Sequence, residues 1–183
     1  HYDLALTNGS LPTKDDRNSS KDVYASVTVR PMKYFNIKTT YNYGRYSTQN
    51  IGGSTGVGSG KYSPMNRMVV GAWYNDPQGL DLRAEYGLMK SNVDGVKIID
   101  EQGAYVLAAY HINKWLPLVR WDMYKDHSEQ GAAGVVTGNN RGTANNYNRI
   151  LVGLNYQLFK NVTIQFNYHH FFYDKDAKTA LGY

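Results

Sequence analysis

Apolar and polar residues alternate with a period of two along most of this chain. In Asp22–Arg30, Val23, Ala25, Val27 and Val29 fall on one side, and Asp22, Tyr24, Ser26, Thr28 and Arg30 on the other. Leu80, Leu82, Ala84, Tyr86 and Leu88 alternate with Asp81, Arg83, Glu85, Gly87 and Met89. Ile150, Val152, Leu154, Tyr156 and Leu158 alternate with Arg149, Leu151, Gly153, Asn155 and Gln157, and Val162 to Phe172 alternate with Thr163 to Tyr173. A strand sends successive side chains to opposite faces, so each stretch reads as a strand with one apolar and one polar face. The pattern predicts nine strands: Tyr2–Asn8, Asp22–Arg30, Phe35–Tyr46, Asn66–Asn75, Leu80–Lys90, Gly103–Ile112, Pro117–Lys125, Tyr147–Leu158 and Val162–Tyr173. The fourth and sixth are apolar on both sides, which leaves their orientation open. No segment has a helical period.

The connections alternate too. Those after the second, fourth, sixth and eighth strands are short: Pro31–Tyr34, Asp76–Gly79, Asn113–Leu116 and Phe159–Asn161. They carry the turn formers Pro31, Asp76-Pro77, Asn113 and Asn161. Those after the first, third, fifth and seventh are long and polar: Gly9–Lys21, Ser47–Met65, Ser91–Gln102 and Asp126–Asn146. In an antiparallel meander all short turns then lie at one end and all long loops at the other. Outer-membrane barrels are built this way, with strands long enough to cross the hydrocarbon layer at a tilt.

Composition narrows the choice. Among 183 residues there are 17 Tyr, against 5 Phe and 3 Trp, with 18 Gly and no Cys. Such aromatic content excludes a disordered chain. The absence of Cys excludes a disulfide framework, a thiolate zinc site and thiol catalysis. The longest apolar runs, Met68–Tyr74 and Ala104–Tyr110, are seven residues, far short of the roughly 20 of a membrane-spanning helix. His1-Tyr2-Asp3 has neither a basic nor an apolar region, so the expectation is that any signal peptide was cleaved or that the sequence begins mid-protein. Tyr2, Tyr34, Tyr46, Tyr74, Tyr124, Tyr147, Tyr173, Trp115 and Phe159 fall near strand ends, where interfacial aromatic girdles sit. A soluble β-sandwich also alternates, but its strands are usually shorter and its loops less regularly unequal. The reading is an all-β, antiparallel transmembrane β-barrel. Nine is an odd number, whereas single-chain bacterial barrels have even ones. Residues 1–183 are therefore expected to be part of a single outer-membrane barrel domain, with strands missing before His1 and after Tyr183.

Several stretches resemble the second half of the phosphate-selective porins O and P. They are Leu82-Arg83-Ala84-Glu85-Tyr86-Gly87, Gly103 to Tyr110, Leu118-Val119-Arg120-Trp121-Asp122, Ile150 to Leu158 and Asn161 to Tyr168. Asn8-Gly9-Ser10 and Val29-Arg30-Pro31 fit the same order. The resemblance spans most of the chain outside the long loops. It implies a 16-stranded barrel, commonly trimeric, in which the ninth strand here is the fifteenth. It does not by itself imply phosphate selectivity.

A porin's chemistry is electrostatic, because rings or ladders of charge lower the barrier for ions of opposite sign. With the apolar faces turned to lipid, Arg30, Lys38, Arg67, Arg83, Arg120 and Arg149 line the lumen, beside Asp22, Asp81, Glu85 and Asp122. This modest basic excess makes small anions candidate solutes, since the arginine fork can bind two phosphate oxygens. Equally, Arg83 with Glu85 and Arg120 with Asp122 read as ion pairs that only solvate the wall. No catalytic set has the required spacing, so no enzyme activity and no cofactor are expected. Adjacent His169 and His170 point to opposite faces and cannot share a metal. Gly56 to Lys61 mimics a phosphate loop but is followed by Tyr62 and no helix, so it reads as a flexible loop. The net charge of +5 is spread over many strands, which argues against nucleic-acid binding. The function expected is passive diffusion of small hydrophilic solutes across the bacterial outer membrane. The expected partners are lipid, lipopolysaccharide and small anions, in a homotrimer or an envelope complex, with one long loop folded inward. The alternatives are a barrel serving structure or assembly in an envelope complex, and a soluble adhesin whose apolar faces are covered by a second sheet.

Overall fold

The structure, a computed structural model, describes residues 1–8, 21–47, 62–93, 96–128 and 146–173. They form β1 (Tyr2–Asn8), β2 (Lys21–Met32), β3 (Phe35–Ser47), β4 (Tyr62–Asn75), β5 (Leu80–Val93), β6 (Val96–Tyr110), β7 (Trp115–Asp126), β8 (Tyr147–Phe159) and β9 (Val162–Tyr173). The nine strands make one sheet in chain order, every neighbour antiparallel. There is no helix among the described residues. β1 and β9 are the two edges, so the sheet is open.

The short connections close as their residues dictate. Lys33 and Tyr34 turn β2 into β3, with Tyr34 left-handed at φ 67°. Tyr34 stands beside Lys33 and, chiefly as its hydrogen-bond partner, holds the ammonium's pKa above the usual lysine value. Asp76 accepts a hydrogen bond from the Gln78 amide at 3.1 Å, an Asx turn before β5. Ile112 and Trp115 exchange backbone hydrogen bonds of 2.9 and 2.8 Å around Asn113, which takes φ 53°, a value asparagine tolerates better than most side chains.

Several strand ends shift from the sequence expectation, β4 beginning at Tyr62 instead of Asn66 and β7 at Trp115 instead of Pro117, and two of the differences change a connection. Ser91–Gln102, expected as a long loop, is mostly strand: β5 runs to Val93 and β6 starts at Val96. The polar sequence hid this, because the hairpin's outer face there carries Lys90 and Asp100 where apolar residues stood further down. Backbone pairing and the Lys90–Asp100 and Lys97–Asp100 contacts, at 3.8 and 3.5 Å, hold it instead. Pro31, expected in a turn, lies inside β2 where the register slips between Val29 and Met32. A bulge is one of the few strand positions that accepts proline. The other three long connections fall largely outside the described residues, as do Gly56–Lys61, the tail Asp174–Tyr183 and any inward-folding loop.

The register sorts every strand into two faces. One carries Leu4, Leu6, Val27, Val29, Ile37, Val70, Leu82, Val106, Val119, Trp121, Ile150, Val152, Leu154, Phe166 and Tyr168. It settles the two ambiguous strands: Met68, Val70, Ala72 and Tyr74 of β4 lie on this face, as do Ala104, Val106, Ala108 and Tyr110 of β6. Arg67 therefore falls on the opposite, polar face. The burial is inverted relative to a water-soluble sheet. The buried side chains are mainly polar, among them Asp22, Ser26, Asn36, Asp81, Ser91, Asp122 and Asp126, while Val152 is 54% exposed and Asp122 6%. Side chains crowd on the polar side, as on the inside of a curved wall. Among the described residues no second layer covers the apolar side. The adhesin alternative predicts such a layer over Val23–Val29 and Ile150–Leu158.

Crowding on the polar side has a local test. A Cβ at Gly44 would collide with the buried Asp22 carboxylate, whereas one at Gly71 would meet its nearest atoms at 3.6–3.7 Å. Gly44→Ala is expected to destabilise the sheet by about 1–3 kcal/mol and Gly71→Ala by much less. Denaturant titration of the refolded protein measures the difference.

Candidate functional site

The polar face is the place to look for chemistry, because it is where charge is concentrated and partly enclosed. All six basic residues singled out from the sequence lie on it, but they do not form one group. Two adjacent register rows hold five of them. One row runs through Arg83, Leu107, Arg120, Leu151 and His169, and Arg30 reaches it through Asn36. The next runs through Lys38, Gly71, Glu85, Tyr105, Asp122 and Arg149. Arg67 lies apart, two rows nearer the long connections, level with Met89, Glu101 and Asp126.

Their partners differ. Arg30 donates through Nε to Asn36 Oδ1 at 2.9 Å. Arg83 grips Asp81 with Nε and Nη2 at 2.9 and 2.8 Å, while Asn75 donates to the same carboxylate at 3.1 Å. The pair expected from the sequence, Arg83 with Glu85, is not made. Side chains two apart share a face, but the Arg83 fork turns toward buried Asp81, where two parallel bonds form. Arg120 with Asp122 is made, at 2.8 Å, and Arg149 joins it through Nε and Nη2 at 3.1 and 2.9 Å. One carboxylate thus holds two guanidiniums on neighbouring strands. The Arg120 guanidinium also lies 4.2 Å from the Tyr105 ring centroid. Arg67 donates to Asn42 Oδ1 at 3.5 Å and also lies against sulfur, with Nη2 3.0 Å from Met65 Sδ and Nε 3.4 Å from Met89 Sδ. Among the described residues Lys38 has no ion pair.

The register adds acids that the sequence reading did not place here. Asp3, opposite Ser26, and Glu101 and Asp126, opposite each other, also lie on the polar face. The basic excess expected over the whole face is therefore gone. What remains is a row through Arg83 and Arg120 that itself contains no acid, with Asp81 and Asp122 paired to these arginines from the rows on either side.

Three tyrosines assigned from sequence to an interfacial girdle are elsewhere. Tyr124, Tyr147 and Tyr173 share one row on the polar face, across from Gly103. Their parity with Asp122, Arg149 and Phe171 was the available signal, and it outweighs nearness to a strand end. Of the others, Tyr74 and Trp115 lie on the apolar face at the short-turn end, joined there by Tyr110 and Tyr156, and Trp115 packs on Tyr156 at 4.3 Å. Toward the other end of that face, Tyr41 and Tyr86 donate their hydroxyls to Asn66 and Gln102 at 2.7 and 2.8 Å. The apolar band is thus bordered by aromatic rings and polar groups at both ends.

Among the described residues no cluster of His, Asp and Glu has the geometry of a metal site. No family model matches the sequence, and comparison with curated proteins finds no significant match. The likeness to the phosphate-selective porins O and P rests on the quoted motifs alone.

Proposed function

We propose that this sheet is wall of an outer-membrane β-barrel porin that lets small hydrophilic solutes diffuse across the bacterial outer membrane. The observation that carries this reading is the inverted burial: carboxylates and amides are enclosed on one face while a mainly apolar face, interrupted by Thr39 and His170, is left uncovered. Lipid is the solvent that makes such a face favourable, and a watery bore is what the enclosed charges require. The apolar stretch of β5 from Leu80 to Leu88 spans eight residue steps, roughly 26 Å along the strand. At a tilt of about 40° that is roughly 20 Å of membrane normal, which the bordering aromatic residues extend toward the usual band. Open backbone edges cannot stand in lipid, so β1 and β9 require further strands to close the wall.

Within the bore, the row of Arg30, Arg83 and Arg120 is the candidate anion-selecting band. Low-dielectric walls focus the field of such a row. Planar-bilayer recording tests both parts. The expected result is a stable conductance with a reversal potential displaced toward the anion in a salt gradient, and a smaller displacement in Arg120→Ala. An absence of conductance overturns the porin reading. A cation preference, or an anion preference untouched by Arg120→Ala, overturns the role of the arginine row.

A further inference from the structure

Gly87 of β5 and Gly103 of β6 are register partners in the middle of two long strands, on the polar face. Neither is required by space or conformation. A Cβ at Gly87 would lie 3.6 Å from Val69 Cγ2, and one at Gly103 would lie 3.6 Å from the Met123 carbonyl, both ordinary contacts, and neither glycine has positive φ. Glycine inside a strand costs stability and often marks the close approach of something else. Here the missing side chains leave a groove of about 430 Å³, in the size range of small-molecule sites.

The lining of the groove says what would fit. The glycine row continues into Tyr124 and Tyr147, whose rings lie 5.9 Å apart and 29° from parallel. Tyr147 in turn meets Phe171 edge-on at 5.5 Å. Arg67 and Glu101 flank the groove on the side of the long connections, and Arg120 and Glu85 on the other. Donors and acceptors therefore face each other across a bare floor with an aromatic wall. A simple ion would meet charges of both signs, and an apolar ligand would strip water from them without replacing it. A sugar ring satisfies both features. Its C–H face carries slight positive charge that suits the negative face of a tyrosine ring, and its hydroxyls both donate and accept.

We propose that this groove is a subsite for the pyranose ring of a neutral saccharide. Its place in transport rests on the porin reading, but binding itself does not. The test uses the full chain in an amine-oxide detergent, which carries no sugar, with maltotriose as probe and sorbitol and inorganic phosphate as comparisons. Calorimetry and saturation-transfer NMR are expected to show maltotriose binding above sorbitol. Tyr147→Ala should weaken it roughly tenfold. Gly87→Val, which fills the groove from a position with room for its Cβ, should weaken it comparably, with circular dichroism confirming that both variants retain the sheet. Maltotriose binding no better than sorbitol, phosphate binding in its place, or binding unchanged in both variants overturns the proposal. Bilayer recording separates the two readings: sugar binding without any conductance removes the porin and leaves the subsite standing.

Discussion

Val152→Arg is expected to abolish assembly into lipid vesicles, while Leu151→Arg, one residue away, is tolerated. Val152 stands in the middle of the apolar face between Val119 and Tyr168, and is more than half exposed. If acyl chains cover that face, an arginine at mid-depth costs about 2–4 kcal/mol. Leu151 lies on the polar face between Arg120 and His169, where an added guanidinium meets water. In a soluble sheet with water on its exposed side the order would be reversed: arginine at the exposed Val152 would be harmless. Protease protection and heat-modifiable migration of the refolded variants decide between the two, and equal tolerance at both positions would sink the lipid assignment. Val106→Arg on β6, also about half exposed on the apolar face, should behave as Val152→Arg does.

The second large effect concerns Asp122. Its carboxylate is buried and accepts hydrogen bonds from both Arg120 and Arg149. Removing one partner of a buried ion pair is far more costly than removing the pair, because it strands the remaining charge. Both guanidiniums keep some exposure, 33% and 23%, so water takes up part of the loss. Asp122→Ala is expected to cost about 2–3 kcal/mol. The double variant Asp122→Ala, Arg149→Leu should recover part of that by removing one stranded cation. By contrast, Asp100→Asn should cost under about 1 kcal/mol, because its partners Lys90 across the hairpin and Lys97 on its own strand are more than half exposed. Denaturant titration reads the stabilities. On the porin reading, Asp122→Ala should also displace the reversal potential further toward the anion, since two arginines then act unpaired. A displacement toward the cation would contradict the placement of this group on the conducting side.

The position of Asp122 shows how much the alternation alone determined. Period-two patterning placed the cores of all nine strands, their antiparallel order, the short turns and the division into apolar and polar faces wherever one face was clearly apolar. It did so because a strand's side-chain alternation is a property of local geometry, independent of what packs on it. Arg30, Lys38, Arg83, Arg120 and Arg149 came out on the polar face for the same reason, whereas Arg67 on β4 was placed there only by register. Where both faces were apolar, in β4 and β6, only register with β3, β5 and β7 could orient the strand.

Partnership and space were decided by tertiary structure. Asp81 rather than Glu85 takes Arg83, although both stand two residues from it on β5, so spacing along the strand does not choose between them. Asp122 joins arginines 29 residues apart in number, and Gly87 meets Gly103, because cross-strand neighbours are set by register and not by spacing along the chain. The extension of β5 and β6 beyond the apolar band was hidden because backbone pairing holds it and no hydrophobic pattern marks it. Likewise, a tyrosine near a strand end carries no mark of which solvent it meets until its parity is tied to the strand beside it. That is why an aromatic wall beside a glycine floor becomes visible only once the sheet is assembled.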